Sequence, residues 1–210
     1  VAADLRADGK RAIALKADLG NISETGSLIA RTVAEFGPVG LLVNNASVFE
    51  DDSAVEFDPE IFDRHFNLHV RAPALLSGAL VKALPEDRSG LIVNIIDQRV
   101  LALKPTFFSY TLSKATLWTA TQTLAQAFSP RVRVNAIGPG PTLQGGRQTA
   151  EAFARQRRDK HVHPGIAAEI DGLGRPFPVF GILLDEAGEL PVDRGRGGGE
   201  AIVAPAPQDI

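Results

Sequence analysis

The sequence has no cysteine, which excludes a disulfide framework and thiolate metal sites. It also lacks the basic-then-apolar N-terminal layout of a secretory signal peptide, and its apolar runs are far shorter than the ~20 residues that a membrane span needs. A formal net charge of -3 offers no general attraction to nucleic acid or to an anionic membrane. These absences predict a cytoplasmic protein whose partners are small molecules.

Methionine is absent too, and the chain starts at Val1. We therefore expect the sequence to be a fragment of a longer product. Its 210 residues have a globular balance, 44% hydrophobic and 22% charged, which suits one domain with a hydrophobic core.

Strand-like and helix-like patterns alternate along most of the chain. Segments 39–43 and 91–96 are short apolar runs, typical of strands buried on both faces of a parallel sheet. Segments 11–19 and 131–136 alternate apolar and polar residues, which indicates strands. The crossovers are long enough for parallel pairing, so we predict an α/β fold with a doubly wound parallel sheet. Helical spacing occurs at 22–36, 59–84 and 110–128.

In such sheets, ligands bind outside the carboxyl ends of the strands. Polar or backbone-shaping clusters follow four of the predicted strands. They are Asp18, Asn44 to Ser47, Asp97, and Pro139 to Thr142. We predict that these clusters form one ligand site along a single edge of the sheet.

One pair of residues predicts acid–base chemistry. Tyr110 and Lys114 are four positions apart and share one face of a helix, where the ammonium stabilises a phenolate and lowers the tyrosine pKa from about 10. Such a tyrosine can donate or accept a proton near neutral pH. The alternative is that both side chains lie on a solvated helix surface.

Three motifs together resemble the short-chain dehydrogenase/reductase family. Residues 44–46 match its N-N-A element, residues 110–114 its Y-x-x-x-K, and residues 139–140 its P-G. The resemblance implies one Rossmann-like domain over residues 1–156 and a nicotinamide-dependent oxidoreductase in which Tyr110 donates the proton. The cofactor-binding positions that it implies are Asp18, Leu19, Asn45, Ala46, Tyr110, Lys114, Pro139, Gly140 and Thr142.

Asp97 departs from the family pattern, which usually has a serine thirteen residues before the tyrosine. A carboxylate would repel the negative charge that grows on a reduced carbonyl oxygen, so ketone reduction is disfavoured unless the acid is protonated. A carboxylic acid that relays a proton to a ring nitrogen suits the reduction of a C=N bond. The alternative is that Asp97 only caps its loop with hydrogen bonds.

Asp97 and the segment 45–49 resemble the pteridine reductases of this family, and the segment 97–114 resembles the bacterial dihydromonapterin and dihydrofolate reductase group. This resemblance implies that Phe49 stacks the substrate ring, that Ser47 holds it, and that Asp97 and Tyr110 manage the proton. It implies a pterin or folate substrate, NADPH as cofactor with NADH not excluded, and a homodimer or homotetramer. The alternative for Phe49 is an aromatic residue that covers the core.

Several histidines need an interpretation. His69 stands where the family commonly has an asparagine that helps to position a proton-relay water; a packing role is the alternative. His161 and His163 lack carboxylates at metal-ligand spacing, so we predict no metal site.

Both ends of the chain differ from the family pattern. No glycine-rich pyrophosphate turn precedes Leu5, so we expect an N-terminally truncated domain that begins within the family's second helix. Residues 161–210 contain nine Gly and six Pro, and Gly172 to Arg175 only faintly matches the family. We expect residues 157–210 to be poorly ordered and hypothesise that a reading-frame error produced them.

Two further functions remain open. A chain that cannot hold the dinucleotide would be a truncated, non-catalytic remnant or a binding subunit. A chain that uses the same cofactor on a sugar, steroid or acyl ketone would be a carbonyl reductase or alcohol dehydrogenase.

Overall fold

The computed structural model describes residues 1–139, 149, 151, 181–184 and 199–204. The helices are α1 (Ala2–Ala7), α2 (Ile22–Phe36), α3 (Pro59–Phe66), α4 (Ala72–Ala83) and α5 (Phe108–Phe128). The strands are β1 (Ile13–Ala17), β2 (Leu41–Asn44), β3 (Gly90–Ile95), β4 (Val132–Ile137), β5 (Gly181–Leu184) and β6 (Gly199–Ala204). No helix in these ranges combines the length and apolarity required to cross a membrane.

Strands β2, β3 and β4 form a parallel sheet in that order, with Leu41 opposite Leu91 and Gly90 opposite Val132. The side chains of Leu42, Ile92 and Val132 are fully buried in the main core. The apolar runs of the sequence therefore form strands β2 and β3 of this sheet, and the predicted α/β fold with a parallel sheet is confirmed.

Strand β1 differs from the prediction because it pairs in an antiparallel sheet of order β1-β6-β5. Strands β5 and β6 come from the Gly/Pro-rich tail, and pairing with β6 satisfies the backbone N–H and C=O groups of β1. A pairing between segments so far apart in sequence leaves no local pattern. The remaining residues of 157–210, with His161, His163 and Gly172 to Arg175, lie outside the described residues, so the expectations for them stay predictions.

The predicted helix 59–84 is interrupted. A π-helical turn, Asn67–Arg71, separates α3 from α4. Pro73 in the first turn of α4 has no N–H to donate and its ring would clash with the carbonyl four residues earlier, at position 69, which favours a local change of helical register. The turn therefore places His69 in a segment of altered geometry.

A buried polar network joins the sheet to α5. Nδ2 of Asn44 donates to Oδ1 of Asn94 at 2.7 Å, and Nδ2 of Asn94 donates to Oγ1 of Thr121 at 2.9 Å. All three side chains are buried, where an unsatisfied amide is costly. The network therefore fixes β2, β3 and α5 relative to one another, and with them the residues that follow each strand.

Candidate active site

The centre of the site is a hydrogen bond between Tyr110 and Asp97. Tyr110 lies in the first turn of α5, and its hydroxyl donates to Oδ2 of Asp97 at 3.0 Å. The other oxygen, Oδ1, accepts the backbone N–H of Arg99 at 2.8 Å and caps the 3-10 turn Gln98–Val100. Asp97 therefore caps its loop and also contacts the tyrosine, and its part in proton transfer stays a prediction.

Lys114 lies beneath the tyrosine, one turn further along α5. Its ammonium donates to the carbonyl of Ile95 at 2.9 Å and lies 5.7 Å from the centroid of the Tyr110 ring. Tyr110 is only 7% exposed and Lys114 only 2% exposed. The alternative that the pair lies on a solvated helix surface is therefore wrong.

An aromatic platform borders the tyrosine. The Phe49 ring stacks on Phe107 with centroids 4.1 Å apart and forms a T-shaped pair with Tyr110, with centroids 4.7 Å apart. Phe49 is 43% exposed, so its ring is available to a ligand rather than sequestered as a cover of the core. The guanidinium of Arg99 lies 5.1 Å from the centroid of the Phe107 ring and extends the stack.

Sequence reasoning missed Phe107. This residue has φ 55° and ψ 58°, in the left-handed region that non-glycine residues rarely adopt. The conformation turns the chain into α5 directly before the tyrosine, and strain of this kind concentrates at functional sites. The only signal in the sequence was the Phe-Phe pair that precedes Ser109.

Asp52 is a second residue that the sequence did not indicate. Its side chain is buried, and it accepts the backbone N–H of Ser109 at 2.9 Å and the Ser109 hydroxyl. Its carbonyl accepts the N–H of Phe108 at 3.1 Å. Asp52 thereby satisfies donors at the N-terminus of α5, where a negative charge also suits the helix dipole, and holds the start of this helix against the loop after β2.

His69 connects that loop to α5. Its Nε2 accepts the N–H of Val48 at 3.2 Å, and the Ser47 hydroxyl lies 3.0 Å from the same nitrogen. Its Nδ1 lies 2.8 Å from Oγ of Ser113, and that hydroxyl donates to the carbonyl of Tyr110 at 2.8 Å. His69 therefore makes specific contacts on both sides of its ring.

The His69 imidazole is neutral. Burial lowers its pKa to about 2, and the nearby positive charge of Lys114 acts in the same direction. A neutral ring with one acceptor and one donor nitrogen fits the contacts with Val48 and Ser113.

The other predicted cofactor-binding residues follow β1, follow β2 or β4, or lie outside the described residues. Asp18 accepts the N–H of Gly20 at 2.8 Å, whereas the Leu19 side chain is buried in the core, so that only its backbone can face a ligand. Asn45 and Ala46 follow β2, and Pro139 is exposed after β4. Gly140 and Thr142 lie outside the described residues. No group of three His, Asp or Glu side chains in the described ranges could hold a metal ion.

A family model described as short chain dehydrogenase matches residues 1–154. The chain belongs to the short-chain dehydrogenase family. The prediction of this family from the three motifs is thus confirmed.

Two bacterial relatives of this short-chain dehydrogenase match 84% of the chain. A 2-dehydro-3-deoxy-D-gluconate 5-dehydrogenase of Dickeya dadantii (strain 3937) is 32% identical over 178 residues, 84% of this chain and 70% of the relative. A protein of the same name from Escherichia coli (strain K12) is 34% identical over 178 residues, with 84% and 69% covered.

A solved structure is more similar in sequence. FolM alternative dihydrofolate reductase 1 from Brucella suis, crystallised with NADP, is 51% identical with a TM-score of 0.70. The match covers 74% of this chain and 62% of the solved one. The chain thus matches less than two thirds of that reductase. The neighbour agrees with the pteridine reductase-like group to which the sequence motifs point.

Proposed function

We propose that this chain carries the catalytic residues of an NADPH-dependent reductase that acts on a C=N bond of a pterin or folate-type substrate. The observation that carries the proposal is the hydrogen bond between the Tyr110 hydroxyl and Oδ2 of Asp97. A carboxylate at this position disfavours an oxyanion and favours proton delivery to a nitrogen.

The substrate class is supported by two further observations. The exposed Phe49 ring beside Tyr110 offers a flat apolar surface to a planar heterocycle. The Brucella FolM reductase, at 51% identity, is named for dihydrofolate reduction, whereas the two 2-dehydro-3-deoxy-D-gluconate 5-dehydrogenases are 32% and 34% identical.

The residues around Lys114 fit a nicotinamide cofactor. The ammonium is fixed by Ile95, and Ile137, the cross-strand neighbour of Ile95, is 49% exposed and supplies apolar surface at the end of β4. Lys114 would hold the nicotinamide ribose, and Asn45, Ala46 and the backbone after Asp18 would line the dinucleotide. Bound NADPH supplies the hydride.

The chain's own residues handle the proton. Tyr110 transfers its phenolic proton to the substrate nitrogen as the adjacent carbon is reduced, and the Lys114 ammonium stabilises the resulting phenolate. Asp97 lies within one hydrogen bond of the phenol and is partly exposed, so it can take up a proton from solvent and pass it to the phenolate. The Lys114 ammonium and the Phe49 ring both lie beside Tyr110. A nicotinamide ribose held by Lys114 and a substrate ring stacked on Phe49 would therefore both lie close to the Tyr110 hydroxyl.

The test measures NADPH binding by fluorescence and NADPH oxidation with dihydrobiopterin, dihydrofolate and an aliphatic ketone. We expect binding, and turnover of the two pteridines in preference to the ketone. Preferential turnover of the ketone would support a carbonyl reductase instead. Absence of both binding and turnover would contradict the proposal and favour a binding subunit.

A further inference from the structure

Two buried histidines hold the loop that carries Phe49. His65 lies at the end of α3 and His69 in the π-helical turn, with ring centroids 5.5 Å apart. Nε2 of His69 accepts the N–H of Val48 at 3.2 Å, and Nε2 of His65 accepts the N–H of Glu50 at 3.4 Å. The two bonds therefore flank Phe49 on the backbone.

The opposite nitrogens determine the tautomers. Nδ1 of His65 lies 2.8 Å from the carbonyl of Ile61, which can only accept, so Nδ1 carries the proton and Nε2 is the acceptor. Nε2 of His69 accepts an amide N–H, so its proton is also on Nδ1 and points at Ser113. Burial lowers the pKa of His65 as well. Both rings are thus neutral Nδ1–H tautomers.

The same loop is anchored again two residues later, where Asp52 binds the start of α5. The three anchored residues, Val48, Glu50 and Asp52, alternate along the chain, whereas the Phe49 side chain between the first two is exposed. Asp52 is buried, Val48 and Glu50 are partly buried, and Asp51 is exposed like Phe49. The anchors therefore face the protein interior, and the Phe49 ring faces the outside, against Phe107 and Tyr110.

We propose that His65 and His69 are positioning residues that clamp residues 48–50 through their Nε2 acceptors and so fix the Phe49 ring beside Tyr110 as the substrate platform. The clamp rests on the proposed function, because it assigns the platform to that reaction. His69 also contacts the Ser113 hydroxyl, which donates to the backbone carbonyl of Tyr110. The same histidine therefore positions both the Phe49 platform and the proton donor.

Matched amide substitutions separate the clamp from simple packing. The amide of Gln reaches the position of Nε2, whereas the amide of Asn reaches only the position of Nδ1. His65→Gln and His69→Gln retain an acceptor for the loop, and His65→Asn and His69→Asn lose it. A hydrogen bond contributes about 1 kcal/mol, so we expect each Asn variant to raise KM for the pteridine by roughly fivefold, with a smaller effect on kcat. The Gln variants recover a KM near that of the unaltered chain.

A second measurement needs no turnover. The chain has four histidines, so long-range ¹H–¹⁵N spectra of the unaltered protein, assigned with the single variants, report each tautomer. We expect the Nδ1–H pattern for both residues and slow hydrogen exchange at the amides of Val48 and Glu50.

The outcomes of the two experiments are distinct. An Nε2–H or protonated pattern at either histidine would overturn the clamp, as would Asn variants with unchanged KM in an active enzyme. If the tautomers and the slow exchange are found but pteridine is not reduced, the clamp exists as a structural element and the proposed function, with the platform's role in it, is wrong.

Discussion

The hydroxyl of Tyr110 and the Oδ2 atom of Asp97 lie 3.0 Å apart, while Oδ1 of Asp97 is occupied by the N–H of Arg99. One carboxylate oxygen thus shapes the loop after β3 and the other contacts the proposed proton donor. Because the two oxygens have separate partners, substitutions can remove one contact and retain the other.

Asp97→Asn retains an oxygen that can accept from Arg99 but removes the acid. We expect kcat/KM for dihydrobiopterin to fall about 10²-fold or more, because general acid–base catalysis typically contributes that much. Steady-state kinetics on purified protein measures it, with the melting temperature as a check that the loop is intact. An Asp97→Asn variant with unchanged kcat/KM would show that the carboxylate only caps the loop.

Asp97→Ser installs the residue that the family usually has. A hydroxyl donates to a developing oxyanion, whereas a carboxylate repels it, so we expect the ratio of kcat/KM for ketone over pteridine to rise about 10-fold or more. A competition assay with both substrates gives the ratio directly. A ratio equal to that of the unaltered chain would show that residue 97 does not determine the preference between ketone and pteridine.

Phe49→Leu removes the ring that stacks on Phe107 and would contact the substrate. Loss of aromatic stacking is worth about 1 kcal/mol beyond burial, so we expect KM for the pteridine to rise about fivefold. Phe57→Leu is the matched control, since Phe57 is similarly exposed but packs on Phe62 and Phe108. Equal effects of the two substitutions on KM would contradict the platform.

The buried histidines make stability depend on pH. The pKa of His69 falls to about 2 in the folded state, and that of His65 is lowered too, while both have an ordinary value near 6.5 when unfolded. Below about pH 6.5 the unfolded chain takes up more of these protons than the folded chain, so the contribution to stability is complete above that pH and is lost as the pH falls. Each residue contributes a slope of up to about 1.4 kcal/mol per pH unit.

Urea denaturation between about pH 5 and 7.5 measures this slope. His69→Gln has no group that titrates in this range, so the dependence of its unfolding free energy on pH should be shallower than that of the unaltered chain. A slope that His69→Gln leaves unchanged would show that His69 is protonated in the folded state.

The sequence predicted the parts of the fold and site that local patterns encode. Tyr110 and Lys114 share a helix face through their spacing alone, and the apolar runs at β2 and β3 identify strands of the parallel sheet. Asp97 was recognisable because it follows such a strand and stands at a fixed distance from the tyrosine.

The parts that were missed depend on contacts between distant residues. Asp52 and Ser109 meet only after folding, and the antiparallel pairing of β1 with β6 joins opposite ends of the chain. The clamp by His65 and His69 depends on which nitrogen faces the loop, which no spacing rule states. Pro73 did signal a break in the predicted helix 59–84, but the π-helical form of that break depends on how α3 and α4 pack.

The most direct test of the central claim is NADPH oxidation with dihydrobiopterin, comparing the unaltered chain with Tyr110→Phe. Tyr110 is the only tyrosine, and phenylalanine preserves the ring that contacts Phe49 and His69, so the substitution removes the hydroxyl alone. The account predicts turnover that falls about 10²-fold or more in Tyr110→Phe, with NADPH binding retained. Turnover that survives in Tyr110→Phe would contradict it.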